Sequence, residues 1–168
     1  MTDKEKELLS YHNWRQAITV HDKLKTPGRI KETLWSHIGM PYNLKGKTFL
    51  DVGSNDGMFC FIAESKGAKV YGSDLYKEDL STMRDGWPLT GVHLLRDFKQ
   101  SNITLHHKGI YHLDEIATKM DVVLCSNVIN WLDDIEKGIA QLCNITQGEL
   151  IISDGFLLKN DVANREPQ

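Results

Sequence analysis

From residue 48 onward, apolar residues gather in short runs: Thr48–Val52, Lys69–Ser73, Ile103–His106, Asp121–Cys125 and Glu149–Ser153. Each is five residues or fewer and reads as a buried strand. Segments of helical period lie between them, over about Gly57–Lys66, Lys77–Arg84 and Asp133–Cys143, the last with Ile135, Ile139 and Leu142 on one face. Gly86–Gln100 fits either a short helix over a sheet end or a loop. Strands that are apolar throughout, interleaved with helices, predict a mostly parallel sheet covered on both faces. Before residue 48 the pattern is helical twice. One helix is expected from about Asp3 to Ala17. A second is expected after Thr26-Pro27-Gly28, with Ile30, Leu34, Trp35 and Ile38 on its apolar face and Gly39 and Pro41 ending it.

Charge divides the chain at the same place. Residues 1–47 carry nine Lys/Arg against five Asp/Glu, and residues 48–168 eleven against eighteen. The polar turn Asn43-Leu44-Lys45-Gly46-Lys47 marks the expected junction. It separates an N-terminal helical lid (1–46) from the main domain (47–168). The net charge of −3 gives no overall basic field, so nucleic-acid binding is not favoured by charge. The longest apolar run, Met58–Ala63, is six residues, whereas a membrane-spanning helix needs about 20. With a charged N-terminus and three widely spaced cysteines (Cys60, Cys125, Cys143), a cytoplasmic protein with buried free thiols is expected.

The chemistry gathers at Phe49-Leu50-Asp51-Val52-Gly53-Ser54-Asn55-Asp56-Gly57. A hydrophobic strand runs into a tight loop with two glycines and then a helix. Gly53 permits a sharp turn and close approach of a ligand to the main chain, and Gly57 opens a helix whose N–H groups are expected to face the same crevice. The spacing is not that of a dinucleotide loop. Asp51 and Asp56 would repel a pyrophosphate and suit a ligand carrying ammonium or sulfonium charge. Asp74, with Leu75 beside it, follows the second strand 21 residues past Gly53. An acid there can accept hydrogen bonds from both ribose hydroxyls. Taken alone, it could equally cap a helix.

These motifs resemble those of class I S-adenosylmethionine-dependent methyltransferases over about Lys47–Asp154. The resemblance implies a Rossmann-like three-layer α/β sandwich with strand order 3-2-1-4-5. It implies S-adenosylmethionine as cofactor and S-adenosylhomocysteine as product. By that resemblance Asp51, Gly53, Asn55 and Gly57 hold the methionine part and Asp74 the ribose, with Ser54 and Asp56 also among the cofactor-binding residues. Tyr111 and His112 fall in the adenine-contacting loop, and Ser126 and Asn127 end the fourth strand beside the transferred methyl. A plain loop histidine and a ligand contact stay equally open for His112.

Thr26-Pro27-Gly28-Arg29, Pro41-Tyr42-Asn43-Leu44-Lys45-Gly46-Lys47 and Lys66-Gly67-Ala68-Lys69-Val70 are similar to one branch of that family. It contains the tRNA wobble-uridine carboxymethyltransferase, which uses carboxy-S-adenosylmethionine. Two departures stand out. Val128-Ile129-Asn130-Trp131 replaces the branch's Val-Leu-Tyr-His, and Gly155–Gln168, 14 residues, is too short for the helix and two strands that complete the family sheet. The fifth strand is then an expected edge, open to a second copy or a partner chain.

Methyl transfer asks chiefly for proximity, orientation and exclusion of water. The candidates near the reacting atom are Asn127, Asn130, Trp131 and Asp154, unranked. Tyr11, Trp14 and Arg29 are candidates to close the site from the N-terminal side, although Trp14 equally reads as a packing anchor. No Cys, His or acid spacing suits a metal. The expected function is an S-adenosylmethionine-dependent methyltransferase with an unidentified acceptor. The alternatives are a tRNA-modifying methyl or carboxymethyl transferase and a non-catalytic cofactor-binding subunit of a complex.

Overall fold

The computed structural model describes residues 1–75, 89–116 and 119–154. The expected helix Lys77–Arg84, Trp87 and the tail 155–168 lie outside them. In chain order the elements are α1 (Asp3–Ser10), β1 (Gln16–Ala17), β2 (Thr19–His21), β3 (Leu24–Lys25), β4 (Ile30–Lys31) and α2 (Leu34–His37). They continue with β5 (Thr48–Val52), α3 (Met58–Ser65), β6 (Lys69–Ser73), α4 (Thr90–Lys99), β7 (Thr104–His106), β8 (Met120–Ser126), α5 (Ile135–Ile145) and β9 (Thr146–Ser153). Two short 3-10 turns, Ile110–Glu115 and Ile129–Trp131, flank β8.

Five strands form one sheet in the order β7-β6-β5-β8-β9, every pair parallel, which is the order the resemblance implies. The alternation of β5 sends its side chains to opposite layers. Phe49 packs in a core cluster with Phe59, Cys60 and Ala63 of α3 and Val92 and Leu95 of α4. Leu50 and Val52 pack on the other face with Leu113, Leu142 and Ile145. The ends of β5, β6, β8 and β9 are in step, Val52 opposite Ser73 and Cys125, and Cys125 opposite Ile152, so their loops open on one crevice.

The N-terminal segment departs from the helical expectation. Thr2 and Glu5 cap α1 reciprocally, but the helix ends at Ser10 rather than Ala17. Beyond it the chain is extended, because the N–H groups of Arg15 and Gln16 bond the Asp56 carboxylate rather than preceding carbonyls. Ile30, expected on a helix, pairs with Gln16 in a two-residue parallel ladder, and helix forms only at Leu34–His37. Leu8, Trp14, Ile18, Val20, Trp35 and Leu44 join the cluster around α3 and α4, so buried residues on both sides of the Gly46–Lys47 junction share one core.

Of the two readings open for Gly86–Gln100, the helix is found, as the ten-residue α4. Two further details differ from expectation. Helix α5 turns Gly138, Leu142 and Ile145 inward and leaves Ile135 and Ile139 exposed, because Leu132 and Ile110 close on Gly138. Cys143 is exposed, whereas Cys60 and Cys125 are buried.

Candidate functional site

A cavity of about 490 Å³ opens at the carboxyl ends of the sheet strands. Its floor is the loop after β5 (Val52, Gly53, Asn55) with Phe59 of α3, and Asp74 and Leu75 after β6. One side is Lys108, Gly109 and Ile110, the other Ser126, Asn127, Val128, Trp131 and Leu132. Arg15, Gln16, Ile30 and Leu34 complete it from the N-terminal segment.

Gly53 has φ +79°, and a Cβ there would lie 2.3 Å from Val128 Cγ2, so only glycine fits both the turn and the packing. The N–H groups of Gly53 and Ser54 both donate to the Ser73 carbonyl at 2.7 and 3.1 Å, tying the loop to the end of β6. Asp74 is fixed by its neighbours: Oδ2 accepts from the Asn55 N–H at 2.9 Å and Oδ1 from the Leu75 N–H at 2.8 Å. Each oxygen keeps a second lone pair, which suits vicinal hydroxyl donors. Burial raises this carboxyl to about 6; the two N–H bonds oppose the rise and the Asp56 charge adds to it.

The other two acids of the motif do not line the cavity. Asp51 is buried against α3, where its Oδ2 accepts from the Cys60 thiol at 3.6 Å. Burial lifts it to about 7; the thiol bond lowers it and the Asp74 charge raises it further. Asp56 is also buried. Its Oδ2 accepts from Arg15 N–H at 2.6 Å and Gln16 N–H at 2.9 Å, and burial raises it to about 6 against those two bonds and the Arg15 charge. The Met58 N–H at the start of α3, expected to face the crevice, donates to Gln16 Oε1 at 2.8 Å. Of the predicted loop residues, Gly53 and Asn55 therefore line the cavity, while Asp51, Ser54, Asp56 and Gly57 support it from behind.

At the adenine-loop position the lining residues are Lys108, Gly109 and Ile110, just ahead of the predicted pair. Tyr111 turns away: its hydroxyl accepts from the Asp134 N–H at 2.9 Å and donates to the Asp134 carbonyl at 3.2 Å. His112 is exposed and paired with Glu115 at 3.0 Å. Ser126, Asn127 and Trp131 line the cavity, Trp131 being 81% exposed. Asn127 holds φ +55° and donates its N–H to the Ser153 carbonyl at 2.8 Å. Asn130 and Asp154 stand behind, the Asn130 N–H donating to Asp154 Oδ2 at 3.4 Å.

Tyr11, Trp14 and Arg29 do not reach the cavity. Trp14 is buried with its Nε1–H on the Leu8 carbonyl at 3.4 Å, and Tyr11 packs edge-on against it. Arg29 contributes its backbone N–H to the Arg15 carbonyl. Sequence reasoning missed Arg15, Gln16, Ile30 and Leu34, which carried no local signal because they reach the cavity only through the fold. Gly109, a glycine directly past the third strand, did carry one. Among the described residues no group of three His, Cys, Asp or Glu could hold a metal ion. No helix there is long and apolar enough to cross a membrane.

Comparison with known proteins agrees with this geometry. A family model described as a methyltransferase domain matches residues 25–165. The tRNA U34 carboxymethyltransferase of Campylobacter concisus is 28% identical over 157 residues, 89% of this chain and 50% of that protein. The chain thus spans about half the length of that relative. Among solved structures, YcgJ of Bacillus subtilis superposes with a TM-score of 0.58 at 13% identity, over 77% of this chain and 52% of its own. An arsenic(III) S-adenosylmethionine methyltransferase from Chlamydomonas reinhardtii superposes with a TM-score of 0.53 at 21% identity, over 76% of this chain and 46% of its own. At such identities the structural likeness establishes the fold.

Proposed function

We propose, from the premise that the chain belongs to the methyltransferase-domain family, whose cofactor is S-adenosylmethionine, that the cavity holds this cofactor and directs its methyl group to an acceptor. The observation that carries the reading is Asp74, fixed by two N–H bonds at the end of β6 and lining the same cavity as Gly53 and Asn55. In this reading Asp74 accepts from the ribose hydroxyls. The Gly53–Asn55 backbone lies along the methionine part, and Leu75 and Ile110 flank the adenine. Bound there, the cofactor supplies a methyl carbon already activated by its sulfonium, so a nucleophile can displace the thioether in line.

The chain's own residues then orient and desolvate. Ile30, Leu34, Val128 and Leu132 exclude water from the reacting end, and Ser126 and Asn127 stand beside it. Of the three acids only Asp74 lines the cavity, where it offers hydrogen-bond acceptors to the ligand. Calorimetric titration with S-adenosylhomocysteine tests the reading. Micromolar binding is expected for wild type, and Asp74→Ala is expected to weaken it about 100-fold, the loss of two hydrogen bonds to a charged acceptor. Wild-type protein that binds neither S-adenosylmethionine nor its product would sink it.

The acceptor admits one more specific reading. The similarity to a tRNA U34 carboxymethyltransferase and the excess of Lys/Arg in residues 1–47 support a tRNA wobble base as acceptor and carboxy-S-adenosylmethionine as donor. Asn130-Trp131 in place of Tyr-His, and the acidic remainder of the chain, speak against it. Binding of tRNA that weakens steeply with salt would support this acceptor. The free cysteines, including exposed Cys143, suit a reducing cytoplasm. Strand β9 pairs only with β8 among the described residues, and we place a contact with a second copy there. Light scattering that shows only monomer rejects that contact.

A further inference from the structure

The segment around Arg15 and Gln16 and the loop ending at Asp56 satisfy each other's backbone. Asp56 Oδ2 accepts from the Arg15 and Gln16 N–H groups at 2.6 and 2.9 Å. In the opposite direction, Gln16 Oε1 accepts from the N–H of Met58, the first residue of α3, at 2.8 Å. The logic is that of a capping box, in which two side chains reciprocally fill orphan donors, but drawn across 40 residues of chain. Asp56 and Gln16 are 0% and 6% exposed, so neither bond competes with water. Buried polar groups are costly without partners, and Gln16 Oε1 and Asp56 Oδ2 find theirs across the contact between segment and loop, while Asp56 Oδ1 is buried without one among the described residues.

The outer side of the segment is held as closely. The Thr26 hydroxyl donates to the Gln16 carbonyl at 2.6 Å and accepts from the Ile18 N–H at 2.8 Å. The N–H groups of Arg29 and Ile30 both donate to the Arg15 carbonyl, at 2.8 and 3.0 Å. A Cβ on Gly28 would lie 2.2 Å from the Gln16 carbonyl carbon. Thr26-Pro27-Gly28-Arg29 thus acts as a clasp around Arg15 and Gln16. The hydrogen bonds of Gln16 and Asp56 join the clasp to the loop at its inner side, beside the packing of Ile18 and Val20 in the core around α3.

We propose that Gln16 and Asp56 are positioning residues that lock this strap, residues 15–30, onto the cofactor loop, so that the loop's hold on its ligand depends on the strap. The cofactor arm of the proposal rests on the reading of the cavity given above. The lock itself does not. Arg15, Gln16 and Ile30 bring the strap to the cavity, and Asn55, one residue from Asp56, brings the loop. Because Gln16 occupies the Met58 N–H, that donor at the start of α3 belongs to the lock and not to the ligand.

The test compares Gln16→Ala with Gln16→Glu, which keeps an acceptor in reach of the Met58 N–H. Amide hydrogen exchange is read at Arg15 and Met58, together with S-adenosylhomocysteine affinity. In Gln16→Ala both amides are expected to exchange at least about ten-fold faster, with affinity falling about ten-fold, while Gln16→Glu stays within about two-fold of wild type in each. Faster exchange at Met58 alone, with Arg15 and affinity unchanged, overturns the lock. So does an equal acceleration of every protected amide, which would report general destabilisation. If wild type binds no S-adenosylhomocysteine, the cofactor reading falls, and the exchange at Arg15 and Met58 still decides the lock.

Discussion

The floor of the cavity and its N-terminal wall are held by different kinds of bond. The floor is stitched between adjacent strands: Gly53 and Ser54 to the Ser73 carbonyl, Asn55 and Leu75 to Asp74. Those contacts follow once β5 and β6 pair in parallel, and they involve residues no more than 22 apart in the chain. The wall at Arg15, Gln16 and Ile30 is clasped locally by Thr26 and Arg29, but its hydrogen bonds to the loop come from one buried carboxylate and one buried amide that reach backbone N–H groups 40 or more residues away. A motif loop can therefore carry its own geometry, whereas a strap must borrow geometry from whatever it docks on.

The largest effects should come from breaking the floor. Gly53→Ala forces a side chain into φ +79° and a 2.3 Å contact with Val128. We expect about 2–3 kcal/mol of lost stability in urea unfolding, with S-adenosylhomocysteine affinity reduced at least as much as by Asp74→Ala. A full-affinity Gly53→Ala protein would remove this loop from the site. Gly28→Ala tests the wall alone. Its 2.2 Å clash falls on the Gln16 backbone, and about 1–2 kcal/mol of stability should be lost with a smaller fall in affinity. If Gly28→Ala matches Gly53→Ala in affinity, wall and floor are one unit.

Acidity distinguishes the two regions more gently. Asp51 at about 7, and Asp56 and Asp74 at about 6, titrate above the ordinary aspartate value of 3.8 in the folded protein. The folded state then binds protons more tightly than the unfolded one. Their stabilisation is complete below 3.8 and is lost as pH rises through about 6 to 7. His93 and His106, held below the ordinary imidazole value by burial and by neighbouring positive charge, act in the opposite direction and more weakly, being partly exposed. The ligand-free protein should thus melt at a higher temperature at pH 5.5 than at pH 8, by roughly a few degrees. Asp51→Asn should flatten the part of that rise near pH 7. A melting temperature that falls on acidification across this range contradicts the burial of these acids.

The smallest expected effect lies at the mouth. Trp131 is 81% exposed, so Trp131→Ala should change stability by no more than about 0.5 kcal/mol. Cofactor affinity should stay within about two-fold, and the loss should appear in turnover of whatever acceptor is identified. Reduced cofactor affinity in this variant would move Trp131 from the acceptor side to the cofactor side.

Much of the floor was legible before the fold was known. Apolar runs at residues 48–52, 69–73 and 121–125, a loop with glycine at its turn, and an acid at the end of the next strand are local signals, each readable within a few residues. Together with the family resemblance, which alone pointed to Ser126 and Asn127, they led to Gly53, Asn55, Asp74, Leu75, Ser126 and Asn127, all of which line the cavity. The same local reading overreached at Asp56, whose side chain serves the strap, and at Tyr111, whose hydroxyl clamps the start of α5. It also made residues 11–17 and 30–33 helical. Their spacing permits a helix, and no nearby residue reveals that Asp56 will claim the N–H groups of Arg15 and Gln16.

What the chain determined by itself was a mostly parallel sheet and the sharp turn that ends β5, because hydrophobic period, glycine and strand-end acids act over short distances; the strand order was implied only by the family resemblance. The tertiary structure alone decided which polar side chains face the cavity and which are spent holding its parts together. A carboxylate in a loop has the same sequence signature whether it meets a ligand or a backbone N–H brought to it from 40 residues away.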